Sequence, residues 1–390
     1  MKLIHRSYRV ALRPTQDQKV LLDKHFGSVR YIYNHFLNQR KEQYQLFNKS
    51  DTYFEQQKLL PILKENEETS WLKEVNSQSL QVALRNLESA YQRFFKGQSK
   101  FPKFKTKRSR NSFGVPQKSK IQQNKLYIPK FREGIKYIDK RTIDGKICNV
   151  TVTKSSTGKY YASILVEQEY EQKPKTGLSV GVDLGIKDLA VTSDGIRLKN
   201  NRYTKTYERK LTKAQKHLSR KKKGSRSFEN QRRKVAKIYE KISNSRRDVL
   251  HKITSKLIDR YDTVVIESLY TKGMMTSRSF SKNIRDASWW TFIHYLKYKA
   301  DWNDKQIVQV DRFYPSSKTC NVCGWINQNL NLSMREWTCA NGHVLDRDLN
   351  AAKNILHEGL KILNSAGAVE NTDGDDVRLS NQQLSMKSEV

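Results

Sequence analysis

The sequence predicts a multi-domain α+β protein, in which a helical block and a β-barrel block precede an α/β domain with an inserted Cys/His segment. Three observations predict this class. Apolar residues recur at helical spacing over residues 14–97. Short alternating runs separated by turn signals then follow up to about residue 170. From residue 178, apolar strands alternate with long amphipathic helices, which is the pattern of an α/β domain.

The composition indicates a protein that binds a polyanion. The chain has 390 residues, long enough for two or more domains with cores of their own, and its formal net charge is +35. An excess of this size implies nucleic acid as the partner. The sequence has no apolar run of about 18 residues and no signal-peptide core, so a membrane protein is excluded and a cytoplasmic protein is expected.

The N-terminal elements follow from local patterns. Apolar alternation over residues 5–12 predicts a strand, and Thr15 is placed to cap a helix that continues to about residue 46. Two further helices are predicted at 53–66 and 71–95. Their apolar stripes indicate a helical core rather than a binding surface.

Residues 97–112 form a basic segment with interleaved phenylalanines. Such a segment is either a solvated linker or a strip that follows a nucleic-acid backbone and stacks on bases. Four strands are predicted next, at 125–129, 135–138, 147–154 and 159–169. With the N-terminal strand they predict a small β-barrel, in which Cys148 is expected to be a buried core residue.

The α/β block opens with three strands, at 178–183, 188–193 and 196–199, a meander that is typical of an RNase H-like sheet. Two basic helices then flank residues 220–223, which are either a solvated turn or a phosphate-contacting surface. The predicted elements that follow are a strand at 262–267, a Gly/Ser/Arg-rich loop at 271–286, a helix at 288–302 and a strand at 306–310. The polar tail, residues 366–390, is expected to be disordered.

Three acidic side chains stand at the ends of apolar elements. Asp183 and Glu267 each end a β-branched, apolar strand, and Asp348 lies at the start of a predicted helix. A carboxylate at the end of a buried strand is costly unless something pairs with it, and hard cations prefer oxygen ligands. Convergence of the three would suit two-metal cleavage of phosphodiesters. Taken singly, each acid could be a solvated strand end or a helix cap. Asp346 is the better candidate for the N-cap of the predicted helix that contains Asp348.

The cysteines indicate a metal site rather than a disulfide framework. Three of the four lie in one short segment, where Cys320 and Cys323 form one closely spaced pair and Cys339 and His343 form another. Two such pairs fit a tetrahedral structural zinc site. His343 could also be a plain turn residue, which leaves the fourth ligand open.

Four segments carry a resemblance to a known family. They are Gly181-Val-Asp-Leu-Gly-Ile-Lys, Val265-Ile-Glu-Ser-Leu, Cys320-Asn-Val-Cys-Gly and Asp346-Arg-Asp-Leu-Asn-Ala-Ala-Lys-Asn-Ile. Together, in this order, they resemble the TnpB family of transposon-encoded, RNA-guided DNA endonucleases, which are related to the type V CRISPR effectors. The resemblance implies that Asp183, Glu267 and Asp348 are a RuvC-type catalytic triad holding two magnesium ions, and that one structural zinc is bound. The family usually has Cys-x2-Cys as the second pair, whereas Gly342 stands at that position here.

The same resemblance implies a domain layout. Its parts are a wedge β-barrel (1–13 and 98–175), a helical recognition lobe (14–97), a RuvC-like nuclease domain of RNase H-like fold (176–315 and 345–365), a zinc-binding insertion (316–344) and a disordered tail (366–390).

The implied partners are a guide RNA transcribed from the transposon end and target DNA, both double-stranded and single-stranded. One protein per RNA is expected, with a dimer as the alternative, in the cytoplasm of a prokaryotic cell and on the nucleoid when DNA is bound. Ten side chains are expected to contact nucleic acid: Tyr53, Ser77, Gln81, Gln117, Lys103, Lys105, Arg220, Lys221, Lys222 and Lys223.

Three other functions fit parts of the pattern. A cleavage-inactive, RNA-guided DNA-binding repressor and a plain RNA-binding protein are both disfavoured, because neither needs three placed acids. A transposase that joins strands with an RNase H-like fold uses the same metal chemistry, so the acids alone do not separate it from an endonuclease. The RNA-guided endonuclease is the function that we expect.

Overall fold

The structure, a computed structural model, describes residues 1–269, 271–274, 276, 278–331 and 333–370. The chain divides into two compact units. Unit 1 comprises Met1–Glu171 and Lys213–Glu240, and unit 2 comprises Gln172–Thr212 and the residues from Lys241 onward. No helix in the described part of the chain is long and apolar enough to cross a membrane.

Unit 1 contains the predicted helical core. Its elements are α1 (Gln16–Phe47), α2 (Tyr53–Glu65), a 3-10 helix (Glu67–Glu74) and α3 (Ser77–Phe95). The first helix begins where predicted, because Thr15 and Gln18 form a capping box with each other's backbone N–H groups. The apolar stripes of the three α-helices meet in one buried core. The first two predicted helices are therefore confirmed, whereas the helix predicted at 71–95 begins only at Ser77, because residues 71–74 belong to the 3-10 helix and Asn76 caps α3.

A seven-stranded antiparallel sheet completes unit 1. Its strands are β1 (Lys2–Leu12), β2 (Asn111–Val115), β3 (Lys120–Gln122), β4 (Lys125–Tyr127), β5 (Ile135–Ile138), β6 (Lys146–Lys154) and β7 (Tyr160–Tyr170). The order β2-β6-β7-β1-β5-β4-β3 leaves β2 and β3 as edges. The described strands form a half-barrel sheet, and the predicted small β-barrel is confirmed to that extent. Strands β2 and β3 were missed because they are short, and β3 is also mostly polar.

Cys148 is partly exposed, so the prediction of a buried core residue was wrong. The register of β6 against β7 shifts between Ile147 and Asn149, which makes Cys148 the extra residue of a β-bulge. Ile147 and Val150 both contact the core. Because the core-facing positions lie on either side of the bulge, Cys148 is left on the outer face of the sheet.

Seven helices are described in the rest of the chain, and two of them are divided between the units. They are α4 (Tyr203–Thr206), α5 (Glu208–Ser219), α6 (Arg226–Arg260), α7 (Thr271–Met274), α8 (Arg278–Ala287), α9 (Trp289–Trp302) and α10 (Arg347–Glu370). Helices α5 and α6 are the divided pair. The segment predicted as a loop at 271–286 contains α7 and α8, which corrects that prediction. Helix α8 buries Ile284 and Ala287, a stripe too short to stand out in the sequence.

Unit 2 is built on a five-stranded mixed sheet. Its strands are β8 (Ser179–Leu184), β9 (Asp188–Thr192), β10 (Arg197–Lys199), β11 (Thr263–Glu267) and β12 (Gln306–Val310). Strands β8 to β10 form the predicted antiparallel meander, and β11 pairs parallel with both β8 and β12. Residues of α6, α8 and α9 share a core with one face of this sheet, and α10 packs on the other face.

The Cys/His segment contains a short hairpin, β13 (Glu336–Thr338) and β14 (Val344–Asp346). Helix α10 starts directly after it and continues to Glu370. The predicted disordered tail, residues 366–390, lies outside the described residues from 371 on, whereas residues 366–370 continue the helix.

Candidate active site

Helix α10 lies directly against β8 and β11 because two glycines remove side chains from the contact. A Cβ atom on Gly181 would lie 2.1 Å from the carbonyl oxygen of Ala352, and one on Gly359 would lie 2.2 Å from Cγ1 of Val265. Both distances are far shorter than a van der Waals contact, so only glycine permits this close approach. The contact fixes the position of α10 on the sheet.

Asp183 and Glu267 lie at the same end and on the same face of this sheet. In the parallel pair β8–β11, Val182 is opposite Ile266, and each acid is the next residue of its strand. Side chains alternate along a strand, so Asp183 shares the face of Gly181, which α10 covers. The same alternation places Glu267 on that face.

Asp348 reaches the same region from α10. It precedes Ala352 by about one helical turn, or about 6 Å along the axis, and Asp183 lies two residues beyond Gly181, or about 6.6 Å along β8. The negative charges of Asp348 and Glu267 both act on Asp183. The structure thus brings together the three acids that the sequence singles out. Their carboxylate oxygens do not all lie within 4.8 Å of one another in the described structure.

Burial, followed by the charges of Asp348 and Glu267, raises the pKa of Asp183 to about 7, and Arg347 acts in the opposite direction. Part of the Asp183 residue remains accessible to solvent, but its carboxylate is enclosed by neighbouring atoms. Loss of hydration is therefore the largest cause of the raised pKa. Burial also raises the pKa of Glu267. The site therefore disfavours its own negative charge, a cost that a bound cation would relieve.

Replacing Asp183 with asparagine is expected to stabilise the magnesium-free protein above pH 7. A carboxyl group whose pKa is raised from 3.8 to about 7 binds its proton more tightly in the folded state. The folded state therefore loses stability as the pH rises between these values, by about 1.4 kcal/mol for each unit of pKa difference. Thermal unfolding of the zinc-loaded protein without added magnesium should show a larger gain at about pH 8 than at about pH 5.

The matched control for this measurement is Asp304→Asn, because the Asp304 side chain is 76% exposed. It should change the unfolding temperature little at either pH. An Asp183→Asn variant whose gain is the same at both pH values would contradict the raised pKa.

Arginine side chains neutralise part of the charge at Asp348. A guanidinium nitrogen of Arg335 lies 3.4 Å from the Asp348 carboxylate, and one of Arg197 lies 3.9 Å from it. Arg197 also pairs with Asp346 at 2.6 Å. Asp346 accepts a hydrogen bond of 2.8 Å from the backbone N–H of Leu349, so its predicted capping role is confirmed. Sequence reasoning missed both arginines, because no local pattern connects them to these acids.

Three cysteines and one histidine converge beside the β13–β14 hairpin. Cys320, Cys323, Cys339 and His343 place one ligand atom each within 4.8 Å of the others. The Sγ atoms of Cys323 and Cys339 are 3.7 Å apart, and His343 Nδ1 lies 3.2 Å from Cys339 Sγ and 3.8 Å from Cys320 Sγ. Zinc–sulfur bonds of about 2.3 Å in a tetrahedron require sulfurs about 3.8 Å apart, so the donor set and the spacing both fit zinc.

A tight turn explains why His343 reaches the cluster. Gly342 has a φ of +80°, which glycine adopts readily. The N–H of Gly342 donates to the carbonyl of Cys339, and the N–H of Cys339 donates to the carbonyl of His343, both at 3.0 Å. Burial raises the pKa of the Cys339 thiol, but hydrogen bonds from the backbone N–H groups of His343 and Asn341 and from the side chains of His343 and Cys323 together lower it to about 6. The turn therefore favours the thiolate that a metal needs.

Two buried asparagines on α10 tie this cluster to the start of the helix. The side-chain amides of Asn350 and Asn354 donate to the carbonyl oxygen of Thr319 at 2.7 and 2.6 Å. Asn350 also accepts a hydrogen bond of 2.9 Å from the N–H of Asn321. Because Thr319 and Asn321 flank the first cysteine, the cluster is held to the turn that carries the third acid. Sequence reasoning missed both asparagines, although their spacing of four places them on one helix face.

The residues expected to contact nucleic acid in the helical block lie around the starts of α2 and α3. Tyr53 opens α2 and packs partly on the helical core. Ser77 and Gln81 lie in the first part of α3, and Ser77 accepts a hydrogen bond of 2.6 Å from Lys64. Gln117 lies beside the same helix, where its side chain accepts a hydrogen bond from Gln78.

The two predicted lysines of the basic segment differ in their surroundings. Lys103 is exposed. The Lys105 ammonium lies 3.8 Å from the centre of the Tyr33 ring, and burial lowers its pKa. The backbone of Lys105 also exchanges two hydrogen bonds with the side chain of Asn34. Lys105 is therefore part of the packing of unit 1, and a nucleic-acid contact there remains a prediction.

The basic run between α5 and α6 is fully exposed. Arg220, Lys221, Lys222 and Lys223 form no ion pair with any residue that the structure describes. Their positive charges are therefore available to solvent or to a polyanion, and their role remains a prediction.

The fold and the site define a basic α/β protein with a carboxylate cluster beside a Cys3His cluster. Residues 163–278 match an OrfB family model of the IS605 type described as "Probable transposase", and residues 289–355 match one described as "Cas12f1-like, TNB domain". Residues 1–49 match a model described as "Helix-turn-helix domain", and the structure forms β1 and the single helix α1 there.

Two relatives cover most of the chain. One, from Streptomyces pristinaespiralis, is named "Putative RNA-guided DNA endonuclease" and is 35% identical over 364 residues, 92% of this chain and 90% of the relative. The other, "Putative RNA-guided DNA endonuclease InsQ" of Escherichia coli (strain K12), is 31% identical over 376 residues, 92% of this chain and 93% of the relative. A solved structure, "Cryo-EM structure of the Cas12f1-sgRNA-target DNA complex", has 12% identity and a TM-score of 0.49 over 90% of this chain and 98% of that one.

The chain therefore belongs to the TnpB family, as the four sequence segments indicated.

Proposed function

We propose that this protein is an RNA-guided DNA endonuclease of a transposable element, which hydrolyses target DNA next to a short flanking motif. The observation that carries the proposal is the convergence of Asp183, Glu267 and Asp348 where α10 crosses β8 and β11. The names of the relatives support the same function.

The carboxylates fit hard divalent cations. All three donors are oxygens, and the raised pKa values of Asp183 and Glu267 reflect the cost of burying their negative charges. Asp183, Glu267 and Asp348 would hold two magnesium ions, as the resemblance implies. Bound there, the ions would promote attack of water on the phosphorus and stabilise the leaving sugar oxygen as its P–O bond breaks.

The protein's own groups orient the substrate. Arg197 and Arg335 lie beside Asp348, where their guanidinium groups can hold the anionic DNA backbone through paired hydrogen bonds. No covalent enzyme intermediate is needed.

A structural zinc at Cys320, Cys323, Cys339 and His343 is part of the proposal. The spacing of the donor atoms supports it. Because Asn350 and Asn354 connect the cluster to α10, the zinc would stabilise the position of Asp348. The zinc would therefore stabilise the fold around Asp348 and take no part in the cleavage of the phosphodiester bond.

The domain layout and partners implied by the resemblance complete the proposal. The half-barrel sheet of unit 1 would be the wedge domain, its helices the recognition lobe, and the five-stranded sheet of unit 2 a RuvC-like nuclease domain. The target sequence would be selected by base pairing between a guide RNA and the target strand. The protein itself would recognise only the flanking motif and the shape of the nucleic-acid helix. One protein per RNA is expected, and a dimer is the alternative.

The experiment that tests the function is purification of the protein from its native locus, followed by sequencing of the bound RNA and a cleavage assay on matching DNA. A discrete RNA that directs cutting is the expected result. The matching model described as "Probable transposase" favours strand joining as the second candidate. Joined strands without a discrete RNA would replace the endonuclease with the transposase.

Neutralising Arg220, Lys221, Lys222 and Lys223 together is expected to weaken binding of all nucleic-acid sequences alike. These exposed charges would contact phosphates, which carry no base identity. Each phosphate contact on duplex DNA contributes about −0.9 to the log–log salt slope, so the slope should fall by up to about 3–4 units. Binding constants for guide RNA and target DNA across a salt series measure this effect.

A matched control neutralises four lysines that are already paired with acids: Lys24, Lys154, Lys159 and Lys252. This control has the same net charge as the variant neutralised at residues 220–223, but its salt slope should remain close to that of the wild type. If the first variant also keeps the wild-type slope on both ligands, residues 220–223 are a solvated turn.

A further inference from the structure

We propose that His5, Cys148 and Glu167 form a second metal site, on the outer face of the half-barrel sheet, that takes a divalent transition metal such as zinc. Their ligand atoms all lie within 4.8 Å of one another. The site belongs to unit 1 and has no role in the proposed cleavage reaction. It therefore stands independently of that proposal.

Three adjacent strands bring these residues together. His5 on β1 is directly opposite Glu167 on β7, and β6 pairs with the other edge of β7. Ile4 and Val166, the neighbours of the first two residues, are buried in the core. Because side chains alternate along a strand, His5 and Glu167 both lie on the outer face.

The bulge in β6 supplies the third ligand. Cys148 is the unpaired residue where the register of β6 against β7 shifts. Bulges re-aim side chains at sheet positions that regular pairing does not offer. The Cys148 thiol is partly exposed beside Glu167, so it is accessible to a metal ion from solvent.

The donor set suits a borderline cation. Thiolate, imidazole and carboxylate are the three zinc ligands of proteins, and their bond lengths of about 2.0–2.3 Å require donors about 3.4–3.6 Å apart. His5 Nε2 lies 3.5 Å from a carboxylate oxygen of Glu167. The thiolate and the carboxylate together cancel the charge of a divalent ion. With three protein ligands, the fourth position is left to solvent, as in open zinc sites.

Binding should be weaker here than at the Cys3His cluster. The His5 side chain is 59% exposed, and Lys146 on β6 is in register with Glu167, so its positive charge opposes the cation. Three ligands with an open position also bind less tightly than four. The two sites can therefore be filled in sequence during a titration.

The test is a titration of the metal-free, full-length protein with Co²⁺ and then Zn²⁺, following the thiolate-to-cobalt absorption band. We expect two equivalents of Co²⁺ in the wild type and displacement of both by Zn²⁺. Cys148→Ser should remove the charge-transfer band of the weaker equivalent, and Glu167→Gln should lower its affinity by at least about tenfold. The matched control is Glu169→Gln, an exposed acid on the same strand, which should leave both equivalents unchanged.

A Cys320→Ser variant separates this site from the Cys3His cluster. It should lose the tighter equivalent and keep the weaker one. A wild type that binds a single equivalent, or a weaker equivalent that survives Cys148→Ser unchanged, would overturn the second site and leave His5 and Glu167 as an ordinary ion pair.

Discussion

Asp183→Ala is expected to abolish DNA cleavage while the complex of protein, guide RNA and target DNA still assembles. Asp183 is the acid on which the charges of both Glu267 and Asp348 act, and it would be a ligand of the magnesium ions. Its removal should lower the cleavage rate by about a thousandfold or more, the scale for groups that act mainly in the transition state. Cleavage of a labelled target by the purified complex, alongside a gel-shift assay, measures both properties.

Glu267→Ala and Asp348→Ala should have the same phenotype, since each would remove one ion's ligand. Asp346→Ala is the control, because this neighbouring acid caps α10 and pairs with Arg197. It should cost about 1 kcal/mol of stability and leave cleavage readily detectable. Full activity in any of the three triad variants would remove that residue from the catalytic assignment.

Cys320→Ser is expected to remove one tightly bound zinc per chain and to reduce cleavage. Free energies of zinc binding by small zinc domains are on the order of 10–16 kcal/mol, so loss of the ion should unfold residues 316–344 locally. The hydrogen bonds of Asn350 and Asn354 to Thr319 would then be lost, and Asp348 would no longer be held in place. Elemental analysis and limited proteolysis of this segment measure the two effects.

The control for the zinc measurement is Glu336→Gln, an exposed residue of the same hairpin. It should keep both the zinc and the resistance to protease. Unchanged zinc content in Cys320→Ser would rule out the structural site, whereas loss of zinc with unchanged cleavage would refute only the link between the cluster and Asp348.

Local patterns in the sequence were sufficient for most of the secondary structure. The helices α1 and α3 and the strands β8 and β11 follow from apolar periodicity and capping, which depend on neighbours in the chain. Several of the elements that were missed, such as β2, β3, α7 and α8, are short and carry little apolar pattern, so contacts with distant residues stabilise them. The bulge at Cys148 was missed because register is set by the partner strand.

The candidate site likewise has features that the sequence predicts and features that only the tertiary structure decides. Asp183, Glu267 and Asp348 could be identified from the sequence, because each stands at the end of an apolar element. Tertiary structure alone decided that they converge, through the close contact of α10 with Gly181. It also supplied the arginines beside Asp348 and the asparagines that hold the Cys/His cluster.

The sequence by itself thus determined the elements, the family segments, the large positive charge and the identities of the metal-ligand candidates. These properties depend on residue type and on spacing along the chain. Only the tertiary structure decided the half-barrel, the pKa of about 7 at Asp183, and the meeting of His5, Cys148 and Glu167 on three strands. The physical reason is that burial, electrostatic coupling and strand register depend on distances between residues that are remote in sequence.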